Sequence, residues 1–268
     1  MKTHTGQGNT GEVIHIQLEH HDGAVTVTMP AQPGCVSLHL STLEAILKFQ
    51  TPDAGLDESI RLVNEVAAID LARRALDALD KDVVPKVFGY GKIEHKGQVV
   101  GWIIEDLKLG EQLGSAWDGL SLSDKEILLT QIARIYAGLQ KCQLPDTVHG
   151  FGGLQYDSTG ALVSGPIVLS YGGPWDSLDE MYIGMFKKQL ELADACPIVK
   201  GWSGPGSQKG LRKSLEKFIN EGVSSCLAIV SNKSQTLIHG DFGKCFISMP
   251  GSPESEELTR VRSPQSPL

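Results

Sequence analysis

A helical stretch between two β-patterned stretches is the feature that most limits how this chain can fold. Residues 57–79 carry apolar side chains at helical spacing, whereas residues 12–50 and 85–107 have the composition and alternation of strands. The apolar side chains on or near one face of the predicted helix are Ile60, Val63, Ala67, Leu71, Ala75 and Leu79. The order of strands, one long helix and further strands predicts a small α+β unit.

Turn signals divide the two β-patterned stretches into individual strands. EVIHIQLEH and AVTVTM flank His21-Asp22-Gly23, which predicts a hairpin because Asp-Gly accepts the backbone angles of a tight turn. CVSLHL and LEAILKFQ then form two more predicted strands. After the helix, a turn at Lys96-Gly97 separates another pair of strands.

Beyond residue 107 the pattern becomes mainly helical. Helices are predicted at about 123–142, 177–195 and 209–230, the first of them opening on a capping box of Ser123 and Glu126, and a glycine-rich hairpin is predicted near 151–169. We therefore divide the chain into an N-terminal extension with the first strand at 1–23, an N-lobe at 24–107, a helical C-lobe at 108–242 and a tail at 243–268. The tail is rich in proline and serine, so disorder is expected beyond Met249.

Charge and cysteine usage exclude several classes of protein. The formal net charge of −8 argues against nonspecific binding to nucleic acid or to an anionic membrane. The five cysteines are scattered and never form a CxxC pair, which favours reduced thiols over disulfides or a metal site. No apolar stretch has the length of a leader's core or of a membrane span. A cytoplasmic protein without a nucleic-acid or membrane partner is predicted.

Two charged residues in the first half of the chain fit a site for nucleotide phosphates. Lys48 lies in the predicted strand LEAILKFQ, where a lysine is more often a solvated edge residue. Glu65 follows in the predicted helix among small apolar residues, where an unpaired carboxylate is costly and a cationic partner is expected. A lysine on a strand and a glutamate on the next helix can form the ion pair that holds the lysine against phosphates.

A third piece of the constellation lies near the end of the chain. The β-prone run TLI leads into His239-Gly240-Asp241, the HxD form of a kinase catalytic loop. In such a loop the aspartate accepts the proton of the substrate hydroxyl. Catalytic roles are therefore predicted for Asp241 and, within the same loop, for His239.

Four motifs point together to one family. NEVAAIDLARRAL, VVPKVFGYG, VGWIIEDLKLGEQL and LIHGDF resemble the aminoglycoside phosphotransferase and choline-kinase-like family, in its large fungal branch. The resemblance covers about residues 25–242. It implies an α+β, protein-kinase-like two-lobed fold in which a small β-rich N-lobe binds ATP, with Mg²⁺ as the metal cofactor. A helical C-lobe would then bind a small hydroxylated or aminated acceptor.

The resemblance implies which residues contact the nucleotide. Lys48 would contact the α- and β-phosphates, and Glu65 would pair with Lys48. The run IEDL, which includes Glu105 and Leu107, would form the hinge beside adenine. The turn PAQPG, at residues 30–34, would cover the phosphates.

The chain departs from the family after Asp241. The family places an asparagine five residues beyond the catalytic aspartate and a metal-binding aspartate later, but this chain has Phe246 at the first position and no aspartate after Asp241. Phenylalanine offers no oxygen to Mg²⁺, so no metal ligand is predicted here and the Mg²⁺ site is expected to be incomplete. The last helices of the family's C-lobe are also expected to be missing, which would leave apolar helix faces uncovered.

The sequence therefore predicts an ATP-dependent phosphotransferase that acts on a small-molecule hydroxyl. Its activity in this chain is expected to be weak or lost, because the charge on the transferring group is not neutralised by a metal. The alternative is a noncatalytic pseudokinase module that binds a nucleotide or a protein. The acceptor is not identified by these residues.

Overall fold

The computed structural model describes residues 5–8, 11–17, 31–38, 44–50, 52, 56–79, 83–95, 97–108, 110–169, 171–198, 202, 210–230, 234–239 and 248–249. Within these residues the chain is a mixed α+β structure. Its elements, in chain order, are β1 Thr5–Gly8, β2 Gly11–Gln17, β3 Glu44–Gln50, α1 Arg61–Leu76, β4 Val87–His95, β5 Gln98–Asp106, β6 Glu111–Gln112, α2 Leu113–Ala116, α3 Leu122–Gln140, β7 Gly153–Tyr156, β8 Leu162–Gly165, α4 Leu178–Ala195, α5 Leu211–Lys217, α6 Val223–Leu227 and β9 Ser248–Met249.

Five antiparallel strands form the main sheet, in the order β1-β2-β3-β5-β4. β3 lies at its centre, and β4 and β5 form the hairpin predicted around residues 96–97. In the hairpin predicted at His21-Asp22-Gly23, the turn and second strand lie outside the described residues, and β2 pairs instead with β1 and β3. β6 pairs with β9, and β7 pairs with β8 in the glycine-rich region predicted to form a hairpin.

Helix α1 lies between the sheet and the C-terminal part of the chain, and it buries a different face against each. Leu62 and Val66 pack against the sheet strands β4 and β5, whereas Ala67 and Leu71 pack against the region of β8. The predicted single stripe is therefore only partly right, since Leu79 is exposed while Leu62 and Val66 are buried. A helix that is covered on two faces has no single apolar stripe for the sequence to display.

The segment of residues 31–38 follows the outer edge of β4. Residues 35–38, predicted as a strand, do not form one: Val36 N–H donates to Val87 O at 2.8 Å, but no ladder follows. The turn through Gly34, whose φ is +77°, directs the chain away from strand geometry. The Gln32 side chain bonds the Tyr90 backbone in both directions, at 3.0 and 3.2 Å.

Gly34 supports a testable prediction, because a methyl group there would collide with the Tyr156 hydroxyl. We expect Gly34→Ala to lower the free energy of unfolding by about 2 kcal/mol or more, through backbone strain and displacement of Tyr156. Gly97→Ala is the matched control, since Gly97 has a φ of +78° with open space around it. Urea unfolding of both variants measures the difference. Equal losses would show that the contact with Tyr156 contributes nothing.

The helical region agrees with the predicted spans at α3 and α4 and differs at the third helix. Helix α3 begins after Ser121, whose Oγ accepts from Asp124 N–H at 3.2 Å, so the cap lies two residues before the predicted Ser123. Residues 209–230 are not one helix: a π-helical turn at Phe218–Gly222 separates α5 from α6.

Apolar side chains are exposed along α3 and along and just after the α5–α6 region. They include Leu122, Ile127, Leu129, Tyr136, Phe218, Ile229 and Val230. Among the described residues, no helix combines the length and the apolar character needed to cross a bilayer.

Candidate functional site

Lys48 lies at the centre of the sheet and is held by a carboxylate on the neighbouring strand. Its Nζ is 2.6 Å from Glu105 Oε1. In the β3–β5 register, Lys48 faces Ile103 and Ile46 faces Glu105, so Glu105 is the diagonal neighbour of Lys48 on one face of the sheet. Ile103 is buried in the core with Leu62, so this face is the one covered by α1.

Glu105 is the most deeply buried charge of the site, with a side chain that is 4% exposed. Burial raises its pKa, and the negative charges of Glu65 and Asp106 act in the same direction. Lys48 opposes this increase through its charge and its hydrogen bond, and therefore favours the ionised carboxylate. Glu105 Oε2 has no hydrogen-bond partner in the part of the chain that the structure describes.

Glu65 is near this pair but has a different partner. Gln50 Nε2 donates to Glu65 Oε2 at 2.9 Å, and Gln50 is buried. Gly101 makes room for the Gln50 amide, because a side chain at position 101 would collide with it. The predicted ion pair between Lys48 and Glu65 is therefore wrong for this structure. The strand register puts Glu105 beside Lys48. Glu65 instead accepts a hydrogen bond from Gln50, the last residue of β3.

The run predicted as the hinge, residues 104–107, lies at the end of β5. Ile104, Glu105 and Asp106 belong to the strand, and Leu107 follows it, half-buried. Asp106 forms two polar contacts at the end of β5. Its Oδ1 accepts from Lys86 N–H at 2.6 Å, and its Oδ2 lies 2.9 Å from Lys108 Nζ. The Glu105 side chain contacts Lys48, and Glu105 is buried.

The turn predicted to cover the phosphates lies beside β4. Its described part, residues 31–34, contacts the backbone of β4, and β5 separates β4 from the strand of Lys48. A role for this turn over the phosphates stays a prediction. The two hydrogen bonds between the Gln32 side chain and the Tyr90 backbone hold the turn beside β4.

The predicted catalytic loop is described only at its two flanks. Thr236 Oγ1 donates to Leu139 O and Gln140 O at 3.2 and 3.0 Å, and Leu237 packs against the core cluster of Leu71. His239 is exposed. Asp241 and Phe246 lie outside the described residues, as does the chain beyond Met249 that was expected to be disordered.

Ser248–Met249 forms the short strand β9. Its pairing with Glu111–Gln112, shortly after β5, means that part of the predicted nonfamily tail contributes a strand. A cleft of about 500 Å³ lies beside residues 234–239, and its lining includes Cys142, Asp146, His149 and Gln235.

A buried polar cluster that the sequence analysis missed joins α1 to β7. Asp70 is 3% exposed and accepts from the Tyr156 hydroxyl at 3.1 Å and from Arg74 Nε at 3.2 Å. Burial, and then the charge of Asp70, raise the pKa of Cys35 to about 11, so this thiol stays protonated at neutral pH. The signal available in the sequence was the one applied to Glu65, a carboxylate amid apolar residues of a helix.

Comparison with models of protein families, with curated proteins and with solved structures finds no match for this chain. Within the described residues, no group of three or more His, Cys, Asp or Glu side chains is arranged to hold a metal ion. What the site can do is therefore argued from the Lys48–Glu105 pair and its surroundings.

Proposed function

We propose that this chain binds ATP through Lys48 and carries the site of a phosphotransferase that acts on a small-molecule hydroxyl, with a transfer activity that is weak or lost because Phe246 offers no oxygen to Mg²⁺. The Lys48–Glu105 ion pair is the observation that carries the proposal. A lysine beside a buried carboxylate and 34% exposed itself has a fixed position and remaining donors for an anion. Lysine serves as a point charge for phosphates in nucleotide-binding proteins.

The arrangement of strands around this lysine supports the same proposal. β3 is followed in sequence by α1 and then by the β4–β5 hairpin, and β5 inserts between β3 and β4 in the sheet. In protein kinases the phosphate-binding lysine likewise lies on a strand that precedes a helix. The protein-kinase-like two-lobed fold is part of this proposal.

In the proposed reaction Asp241 is the base. The acceptor's hydroxyl oxygen attacks the γ-phosphorus of ATP, the bond from that phosphorus to the bridging oxygen of ADP breaks, and Asp241 takes the hydroxyl proton. Lys48 would neutralise part of the charge on the phosphates.

The Mg²⁺ implied by the resemblance does not fit the residues present. Phe246 offers no oxygen, the sequence has no aspartate after Asp241, and the described residues contain no cluster for a metal. No step of the proposed reaction is therefore assigned to a metal. Phe246 is also the observation that favours the second candidate function, a noncatalytic nucleotide-binding module.

Thermal unfolding with ATP, ADP or adenosine, each with and without Mg²⁺, tests the nucleotide site. A ligand at a hundredfold excess over its Kd stabilises the folded protein by about 2.7 kcal/mol, so binding raises the Tm. We expect ATP and ADP to raise the Tm more than adenosine does, with or without Mg²⁺. The double variant Lys48→Met/Glu105→Leu should lose this difference, because it removes the cation without leaving an unpaired buried charge.

Lys92→Met is the matched control, since Lys92 is an exposed lysine on β4 of the same sheet. It should keep the full response to ATP. No shift with any nucleotide, or an equal loss in both variants, would refute the proposed site. Phosphoryl transfer to a panel of hydroxyl compounds, compared between the wild type and Asp241→Asn, then separates the enzyme from the noncatalytic module.

A further inference from the structure

We infer that Glu105, on β5, is the residue that positions Lys48 for the nucleotide phosphates, and that Glu65 on α1 does not have this role. The inference rests on the proposed function. It changes the assignment that the sequence favoured, a glutamate on the helix after the lysine strand. The position of Lys48 then depends on the register of two strands rather than on the placement of α1.

Adjacent strands of one sheet hold the pair in place. β3 and β5 are joined by a ladder from Ala45↔Asp106 to Phe49↔Trp102, and both residues of the pair lie inside it. A shift of register by one residue would turn one side chain to the opposite face of the sheet. The backbone ladder therefore keeps both side chains on one face as diagonal neighbours, where Lys48 Nζ lies 2.6 Å from Glu105 Oε1.

The two side chains of the ion pair differ in their exposure to solvent. The Glu105 side chain is 4% exposed and the Lys48 side chain is 34% exposed, so the carboxylate lies inside and the ammonium lies nearer the solvent. An ammonium group has three donors, and one of them is used by Glu105. The remaining donors are available to phosphate oxygens without any break in the ion pair.

Glu65 is held away from this role by Gln50. Its Oε2 accepts from Gln50 Nε2 at 2.9 Å, and Gly101 provides the space that the Gln50 amide needs. Glu65 is also close enough for its charge to raise the pKa of Glu105, so a move of Glu65 toward Lys48 would bring two carboxylates closer together. The structure gives Glu65 a partner of its own.

Calorimetric titration with ADP and with adenosine tests this assignment. The Kd for adenosine divided by the Kd for ADP isolates the contribution of the phosphates to binding. We expect Glu105→Gln to reduce that ratio by about tenfold, as for loss of one interaction with a charged group. Its Kd for adenosine should stay unchanged, which a merely unfolded variant would not show. Glu65→Gln should keep the wild-type ratio within about twofold. Glu94→Gln, an exposed glutamate on β4, is the control.

A second measurement reads the pair without nucleotide. The acetylation rate of Lys48, mapped by mass spectrometry, should rise in Glu105→Gln and stay at the wild-type value in Glu65→Gln and Glu94→Gln. Loss of the preference for ADP over adenosine in Glu65→Gln but not in Glu105→Gln would overturn the inference. A higher ratio in Glu105→Gln would also overturn it, since Glu105 would then withhold Lys48 from phosphates.

The two proposals fail in different ways. A wild-type protein that binds ADP no better than adenosine refutes the proposed nucleotide site and any role of Glu105 toward phosphates. A wild-type protein with the preference, together with a Glu105→Gln variant that retains it, refutes only the inference about Glu105.

Discussion

Lys48→Met is expected to lower the free energy of unfolding by about 3 kcal/mol at pH 8, because it leaves the buried Glu105 carboxylate without its cation. This value is at the lower end of the range for a broken buried pair, since the Lys48 side chain is 34% exposed. Urea unfolding of the wild type and the variant measures it. Methionine keeps most of the length of the lysine stem, so lost packing contributes little.

The loss of stability in Lys48→Met should be larger at high pH than at low pH, because Glu105 is buried. Burial already raises the pKa of Glu105, and removal of Lys48 removes the charge that opposes this increase. The folded variant therefore binds a proton at Glu105 more tightly than the unfolded chain does. The penalty is absent below the unfolded-state pKa of about 4.3 and grows as the pH rises toward the folded-state pKa.

We expect the stability of Lys48→Met to recover when the pH is lowered from 8 to 5. The double variant Lys48→Met/Glu105→Leu should show a smaller loss and no such recovery, because an apolar pair of similar volume replaces the ions. An equal loss at pH 5 and at pH 8 would mean that Glu105 does not depend on Lys48 for its charge.

Leu71→Ala is the second substitution with a large expected effect, a loss of about 3 kcal/mol in the free energy of unfolding. Leu71 is 2% exposed and packs with Val148 and Leu162, so the change opens a cavity between α1 and the C-terminal part of the chain. Leu192→Ala on α4 is the control, since Leu192 is 51% exposed and its truncation should change stability by less than about 0.5 kcal/mol.

Urea unfolding followed by two probes gives a sharper test of Leu71. If α1 and the region of β8 unfold together, far-ultraviolet circular dichroism and tryptophan fluorescence should shift to lower urea by the same amount. A loss below about 1 kcal/mol would contradict the packing described for this cluster, because truncation of a fully buried leucine costs more.

The sequence determined the local elements well where one periodicity applied. Strand β3, the β4–β5 hairpin with its turn, and helices α3 and α4 were all predicted close to their observed positions. Lys48 was singled out only together with Glu65 and the His239-Gly240-Asp241 motif, because a lysine in a strand is by itself more often a solvated edge residue. The pattern was less informative for α1, because a helix that is buried on two faces does not display one stripe.

Tertiary structure alone decided which carboxylate pairs with Lys48. Glu65 and Glu105 are both acidic residues in apolar surroundings, and the order of a strand lysine followed by a helix glutamate favoured Glu65. The register of β3 against β5 brought Glu105 within 2.6 Å of Lys48 Nζ, and the bond from Gln50 occupied Glu65. Local patterns determine strands and helices because those depend on near neighbours. Pairings between distant residues depend on register and on the space left by a residue such as Gly101, and neither is encoded within the segment that carries the lysine.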